Sequence, residues 1–424
     1  MTSRNSSQAF TRSLFNKKIL PLIIVTMFSN QCLAELTEFK VLQLGMKNPQ
    51  IQSQWQAQLE KARGQMQHAG RWENPSIEYS RENLDLPSGM SEENTLWLRQ
   101  KINIAGVKGL ERKAAESDYE SQKSQQLLDI REWRRRLRED FYMTLAAQEK
   151  LALLTAVQSR LSTISDFVSQ RAERGDASRF DALRIQKELT VMAGQFARAE
   201  TFYLTERNQL LSKIELAPQE QEDLLSDTEY FSGRLLPDDS VIGELEDKKH
   251  WLDHPQILAI NSSLQSAELS AKAAGREHWP EVTIGVGRKE VDDPGFSANG
   301  NTVALGITLP LFDHGRGEKR MAKSAIQELR ARQTLLIRQL DANWLSATHA
   351  LATHQKTALQ LRTLSADSER SLSRLAEASY QAGELSVMEL LDAYQSDLEA
   401  NAQYIDTALE ARLAYIQIQH LKGE

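Results

Sequence analysis

Two windows of this sequence, residues 110–174 and 318–382, contain neither glycine nor proline. Each is 65 residues long and rich in Ala, Leu, Glu, Gln, Arg and Lys, residues that lose little side-chain freedom on entering a helix. In the first window Ile130, Trp133, Leu137, Phe141 and Leu145 step by three and four, as do Leu161, Ile164 and Val168. In the second, Leu336, Leu340, Trp344, Ala347 and Leu351 do the same. This spacing predicts seams that pack on neighbouring helices at shallow angles. An unbroken helix of that length runs roughly 100 Å at about 1.5 Å per residue, so the expected molecule is elongated.

The windows come in a pair because a larger unit is repeated. Asn48-Pro-Gln-Ile51 matches His254-Pro-Gln-Ile257 at an offset of 206, and Ala69-Gly-Arg71 matches Ala274-Gly-Arg276 at 205. Arg174-Gly-Asp-Ala-Ser178 matches Ala382-Gly-Glu-Leu-Ser386 at 208. Each copy reads as a helix, a strand pair, a very long helix, a turn and a returning helix. The first repeat is expected over 35–214, with strands at 76–84 and 95–104 and long helices at 107–173 and 178–213. The second is expected over 251–424, with strands at 281–289 and 302–310 and long helices at 315–381 and 386–421. Residues 215–250, with Pro218, Pro237 and many acids, form the linker.

The strands rest on period-two patterns. Val282, Ile284 and Val286 alternate with Thr283, Gly285 and Gly287, and Val303, Leu305, Ile307 and Leu309 alternate with small or polar residues. The turn formers Asp293-Pro-Gly295 and Asn299-Gly300 mark a loop between them. Strands of about nine residues approach the 9–11 that cross a bilayer at a tilt. Four strands cannot close a barrel, whose smallest membrane form has eight, and an open edge has no hydrogen-bond partner in lipid. In a membrane, copies must therefore pool their strands, and three copies make twelve.

Residues 1–18 carry Arg4, Arg12, Lys17 and Lys18 without an acid, Ile19–Phe28 is apolar, and Ala34 stands at a small-residue cleavage position. Residues 1–34 read as a secretory signal peptide. Cleavage there removes the single cysteine, Cys32, and moves the formal charge from −7 to −11. An acidic chain has no general attraction to nucleic acid, and with 26% charged residues no later segment is apolar enough to span a bilayer as a helix.

Four stretches resemble the TolC family of bacterial outer-membrane efflux proteins. They are Asn74-Pro75, Gln100-Lys-Ile-Asn-Ile-Ala-Gly-Val-Lys108, Leu309-Pro-Leu-Phe-Asp-His-Gly-Arg-Gly317, and Tyr380-Gln-Ala-Gly-Glu-Leu-Ser386 followed by Leu390-Leu-Asp-Ala393. The likeness is nearest to the heavy-metal branch, the outer-membrane components of cation-exporting RND systems. It implies a mainly α fold with a small β part, two tandem repeats of long helical hairpins and two β-hairpins. Three copies would form a duct with a twelve-stranded β-barrel in outer-membrane lipid and a helical tunnel in the periplasm. Residues 215–250 would belong to an equatorial belt. The partners implied are two further copies, a periplasmic adaptor (membrane fusion) protein and an inner-membrane RND-type pump. Substrate, heavy-metal cations in this branch, would pass without chemistry.

The resemblance assigns roles to particular residues. Gly175, Asp176, Ala177 and Ser178, with Gly383, Glu384, Leu385 and Ser386, would be the turns that meet the adaptor. Where the family often has a basic residue two places after the second glycine, this chain has Leu385. Asp181, Glu389 and Asp392 occupy positions where family acids line the closed periplasmic entrance, and Glu389 and Asp392, three apart, share a helix face. Threefold symmetry would turn each into a ring that draws cations to the mouth.

No P-loop, Gly-x-Ser-x-Gly or dinucleotide fingerprint occurs in the sequence, so neither an enzyme nor a cofactor is expected. His250 and His254 precede Pro255, and His349 and His354 are five apart, so no metal site is expected either. The competing reading is a soluble periplasmic coiled-coil adaptor or scaffold. Adaptors usually carry one helical hairpin among β-rich segments, whereas two long hairpins are present here.

Overall fold

The computed structural model describes residues 35–216, 230–238, 251–312, 314–365 and 371–423. The expected signal peptide and most of the 215–250 linker lie outside these residues. In chain order the elements are β1 (Leu36–Thr37), α1 (Glu38–Met46), α2 (Pro49–His68), β2 (Ser76–Leu86), β3 (Gly89–Ile102), α3 (Val107–Arg174) and α4 (Arg179–Leu211). They continue with β4 (Phe231–Ser232), a 3-10 turn at Trp251–Asp253, α5 (Pro255–Arg276), β5 (Glu281–Asp293), β6 (Phe296–Thr308), α6 (Arg316–Ser365), α7 (Leu372–Gln381) and α8 (Val387–Lys422).

The repeated motif at 48–51 and 254–257 is a helix start. Asn48 Oδ1 accepts the amides of Gln50 and Ile51 at 3.0 and 3.3 Å, and His254 Nδ1 accepts that of Gln256 at 3.3 Å. Pro49 and Pro255 follow at the first helical position, where a missing N–H costs nothing. From there α2 lies along α3, while α5 packs between α3 and α6.

The strands and one long helix differ from the pattern-based expectation. The strands are 11, 14, 13 and 13 residues long, joined within each hairpin by two residues, Pro87-Ser88 and Pro294-Gly295. Asn299 and Gly300 sit inside β6, paired with Glu290 and Lys289, rather than in a loop. Polar residues on both faces erase the alternation there, but the backbone ladder continues. Where one helix is expected over 315–381, α6 and α7 are separate, and Ser371 is extended (φ −59°, ψ 140°). The Ser373 amide donates to Asp397 Oδ2 on α8 at 2.8 Å, which caps α7 from another helix.

The main core forms where α3 meets α1, α8 and the 230s. Leu137, Phe141 and Leu145 pack with Leu36, Phe231, Leu235 and Ile416. Gln148 brackets the Phe231 backbone, donating to its carbonyl at 2.8 Å and accepting its amide at 3.0 Å. Arg412, half-buried with its guanidinium over the Tyr142 ring, donates to the carbonyls of Arg234, Leu235 and Leu236 at 2.7–3.1 Å. A second core, with Leu161, Ile164, Val168, Ile185, Tyr380 and Leu390, joins α3, α4, α7 and α8 toward the turns.

Candidate functional site

The sheet runs β2-β3-β5-β6, all antiparallel, so among the described residues β2 and β6 each pair on one side only. Residues opposed across a ladder share a face. One row is therefore Ile77, Leu98, Val286 and Val303. Tyr79 and Leu96, Ile284 and Leu305, and Val282 and Ile307 extend it on the same side. These side chains are not covered: Ile77 is 74% exposed, Val303 80% and Leu305 69%. An apolar face this contiguous marks a membrane or protein contact.

The other face is small and polar. Glu78, Trp97, Gly287 and Thr302 oppose one another, as do Ser76, Arg99, Gly285 and Ala304. Charges on this face are paired across strands, Arg99 with Glu78 at 2.5 Å and Lys289 with Glu93 at 2.5 Å. Trp97 lies against Gly285 and Gly287, and the Arg99 guanidinium stands 5.2 Å from its ring centre. A Cβ at Gly287 would come within 2.7 Å of the Leu96 carbonyl oxygen, so glycine makes the room.

At the other end of the long helices stand the two turns. They are copies of one device. Gly175 (φ 84°) and Gly383 (φ 82°) are left-handed, as a helix-ending residue of this kind must be. The Gly175 amide donates to Ala172 and the Asp176 amide to Arg171; the Gly383 amide donates to Tyr380 and the Glu384 amide to Ser379. After Ala177 and Leu385, Ser178 and Ser386 cap α4 and α8.

The caps then diverge. Glu389 accepts the Ser386 amide and hydroxyl, both at 2.8 Å, completing a capping box. The Ser386 amide, and then its hydroxyl, hold the Glu389 carboxyl below the usual carboxylate range. Asp181, its counterpart in the first repeat, is one methylene shorter and makes no such bond; the Ser178 hydroxyl accepts from Phe180 instead, at 3.1 Å. Asp392 is exposed one turn after Glu389. At the same 208 offset the first repeat carries Arg184, which the sequence reading missed although the alignment contains it. Tyr380 opens the second turn's motif but carries no role of its own in the sequence. Burial pushes its hydroxyl pKa up, with Arg171 lowering it and Asp181 raising it, so charges flanking the first turn act on a ring of the second repeat. Among the described residues no group of three or more His, Cys, Asp or Glu side chains is placed to hold a metal ion.

Known proteins share the fold. Residues 251–424 match the family profile described as "Outer membrane efflux protein". The second repeat thus carries the sequence profile of that family. A solved membrane protein from Pseudomonas aeruginosa superposes with a TM-score of 0.75, at 17% identity over 91% of this chain and 93% of that one. The Campylobacter jejuni CmeC outer membrane channel gives 0.76, at 16% identity over 91% and 85%. Over 91% of its length the chain thus has the fold of solved outer-membrane channels. In sequence, 289 residues are 22% identical to the cobalt-zinc-cadmium resistance protein CzcC of Cupriavidus metallidurans. That match spans 67% of this chain and 66% of the relative.

Proposed function

We propose that this chain is the outer-membrane duct of a tripartite exporter. Three copies pool their sheets into one twelve-stranded barrel in the outer membrane, and their helices form a tunnel into the periplasm. Substrate passes through unaltered, handed from an inner-membrane RND-type pump and its periplasmic adaptor to the exterior. The observation that carries this reading is the sheet: an exposed apolar face, a polar and small opposite face, and two unpaired edges. Lipid solvates the first, water the second, and only neighbouring copies satisfy the third. A water-soluble scaffold would have to cover both the apolar face and the edges.

The turns at Gly175–Ser178 and Gly383–Ser386 dock the adaptor, because the left-handed glycines fix a rigid pair of knuckles at the helix ends. Asp181, Glu389 and Asp392 form the rings of negative charge at the closed mouth. Divalent heavy-metal cations are the cargo, a reading supported by the likeness to the cobalt-zinc-cadmium resistance protein and by mouth acids that concentrate cations.

Planar-bilayer recording of the full chain tests the reading. Wild type should open long-lived, cation-preferring channels, and D181N/E389Q/D392N should lose much of that preference. Channels with unchanged selectivity would remove the gate assignment, and no channels at all would remove the duct.

A further inference from the structure

The start of α6 carries a feature that ion conduction leaves unused. Arg316, Lys319, Arg320 and Lys323 follow an i, i+3, i+4, i+7 spacing, so they make one stripe over the first two turns. All four are exposed. None lies within ion-pair distance of a carboxylate among the described residues; the Lys319 ammonium donates to the His314 carbonyl, at 3.4 Å. The corresponding start of α3 has no such stripe. There Lys108 pairs with Glu111 at 3.1 Å and Arg112 with Glu116 at 3.6 Å. Four exposed cations side by side stand out in a chain whose formal charge is −7.

The stripe's direction follows from contacts and handedness. Helix α6 turns Arg330 and Gln333 to α5, where they bond Glu268 and Asn261 at 2.9 and 2.5 Å. At about 100° per residue, the stripe lies on the opposite side of α6 from Arg332, Leu335 and Gln339, which line a 790 Å³ recess shared with α3 and α5. Asp293 and Phe296 flank a two-residue turn and so form a hydrogen-bonded pair. Viewed on the apolar face with that turn uppermost, β6 then lies left of β5. A right-handed α6 descending from β6 carries the stripe toward the viewer and the recess away. The cations therefore sit beneath the apolar face, past Leu309, Leu311 and Phe312, which are 60%, 67% and 97% exposed.

We propose that this stripe binds the anionic phospholipid headgroups of the periplasm-facing leaflet. Two helical turns rise about 10 Å, comparable to a headgroup layer of about 5–8 Å beyond the hydrocarbon. The site rests on the duct reading, since it needs the sheet in lipid. Each copy supplies one stripe, from the second repeat only.

The test uses the full chain reconstituted in nanodiscs of phosphatidylethanolamine mixed with phosphatidylglycerol, with retained lipid read by native mass spectrometry. Wild type should enrich phosphatidylglycerol. R316Q/R320Q should lower that enrichment by at least about fivefold, the value of one basic residue near an anionic surface. R316K/R320K should restore it, and K108Q/R112Q should leave it unchanged. Equal phosphatidylglycerol retention by wild type and R316Q/R320Q would overturn the site. So would a changed single-channel conductance in R316Q/R320Q with lipid retention intact, which would place the stripe in the lumen. A wild-type chain that forms channels but shows no headgroup preference defeats this proposal alone, whereas one that never enters the bilayer defeats the duct as well.

Discussion

Three glycines on the small-residue face of the sheet should respond in graded fashion to one added methyl group. At Gly287 a Cβ would stand 2.7 Å from the Leu96 carbonyl oxygen, 2.8 Å from Thr302 Oγ1 and 2.9 Å from Trp97 Cδ2. The first of these is backbone, held by the β3–β5 ladder, and cannot step aside without breaking pairing. At Gly285 the nearest atoms are 3.3–3.4 Å away, all in side chains, and at Gly300 nothing lies within 4 Å. Overpacking costs about 1–3 kcal/mol, while replacing an unstrained glycine by alanine returns about 0.5–1 kcal/mol through the unfolded chain. G300A should therefore stabilise by about 0.5–1 kcal/mol, G285A should fall near zero, and G287A should lose about 1–2 kcal/mol net per chain. Thermal melting of detergent-purified protein by circular dichroism should give the order G300A, wild type or G285A, then G287A. A G287A melt equal to that of G300A would show that Trp97 does not pack across this face, and the assignment of a crowded inner wall would fail.

Three further outcomes follow from the helical part. Burial alone pushes the Glu149 carboxyl up to about 7. A carboxylate whose folded pKa is raised favours folding below its unfolded value of about 4.5 and loses that advantage as pH climbs to about 7. E149Q should thus gain on wild type across that window, by roughly 1–2 kcal/mol once the partly exposed site is discounted for screening; parallel pH-stability curves would refute this. R412M removes three charged bonds to the carbonyls of residues 234–236 and should cost about 3–5 kcal/mol, seen as faster proteolysis near Arg234. D397A uncaps α7 and should raise amide exchange in Leu372–Gln381 while leaving α4 unchanged.

Much of this was visible in residue patterns, for identifiable reasons. Windows free of glycine and proline mark α3 because nothing local interrupts it. The Asn-Pro and His-Pro pairs mark the starts of α2 and α5 because the cap and the ring act within three residues. The turns at Gly175 and Gly383 are legible for the same reason. The strand ends are not: Glu290 to Asn301 has polar residues on both faces, and ladder hydrogen bonds leave no trace in hydropathy. Nor is the break at Ser371, since its cap, Asp397, comes from a helix 24 residues beyond Ser373. At the second turn, Ser386-Val-Met-Glu389 already has capping-box spacing, so Glu389 has a structural duty alongside the gate role proposed for it. Asp181 and Asp392 carry no such duty. The ring around Tyr380 needs both repeats folded together, and no local pattern encodes it.

The central claim is that β2 and β6 are edges only in a single chain. Native mass spectrometry of the detergent-extracted protein, combined with hydrogen exchange on the same sample, tests it most directly. The account predicts a threefold mass and amides of β2 and β6 protected as strongly as those of β3 and β5. A monomer whose outer strands exchange freely would contradict it.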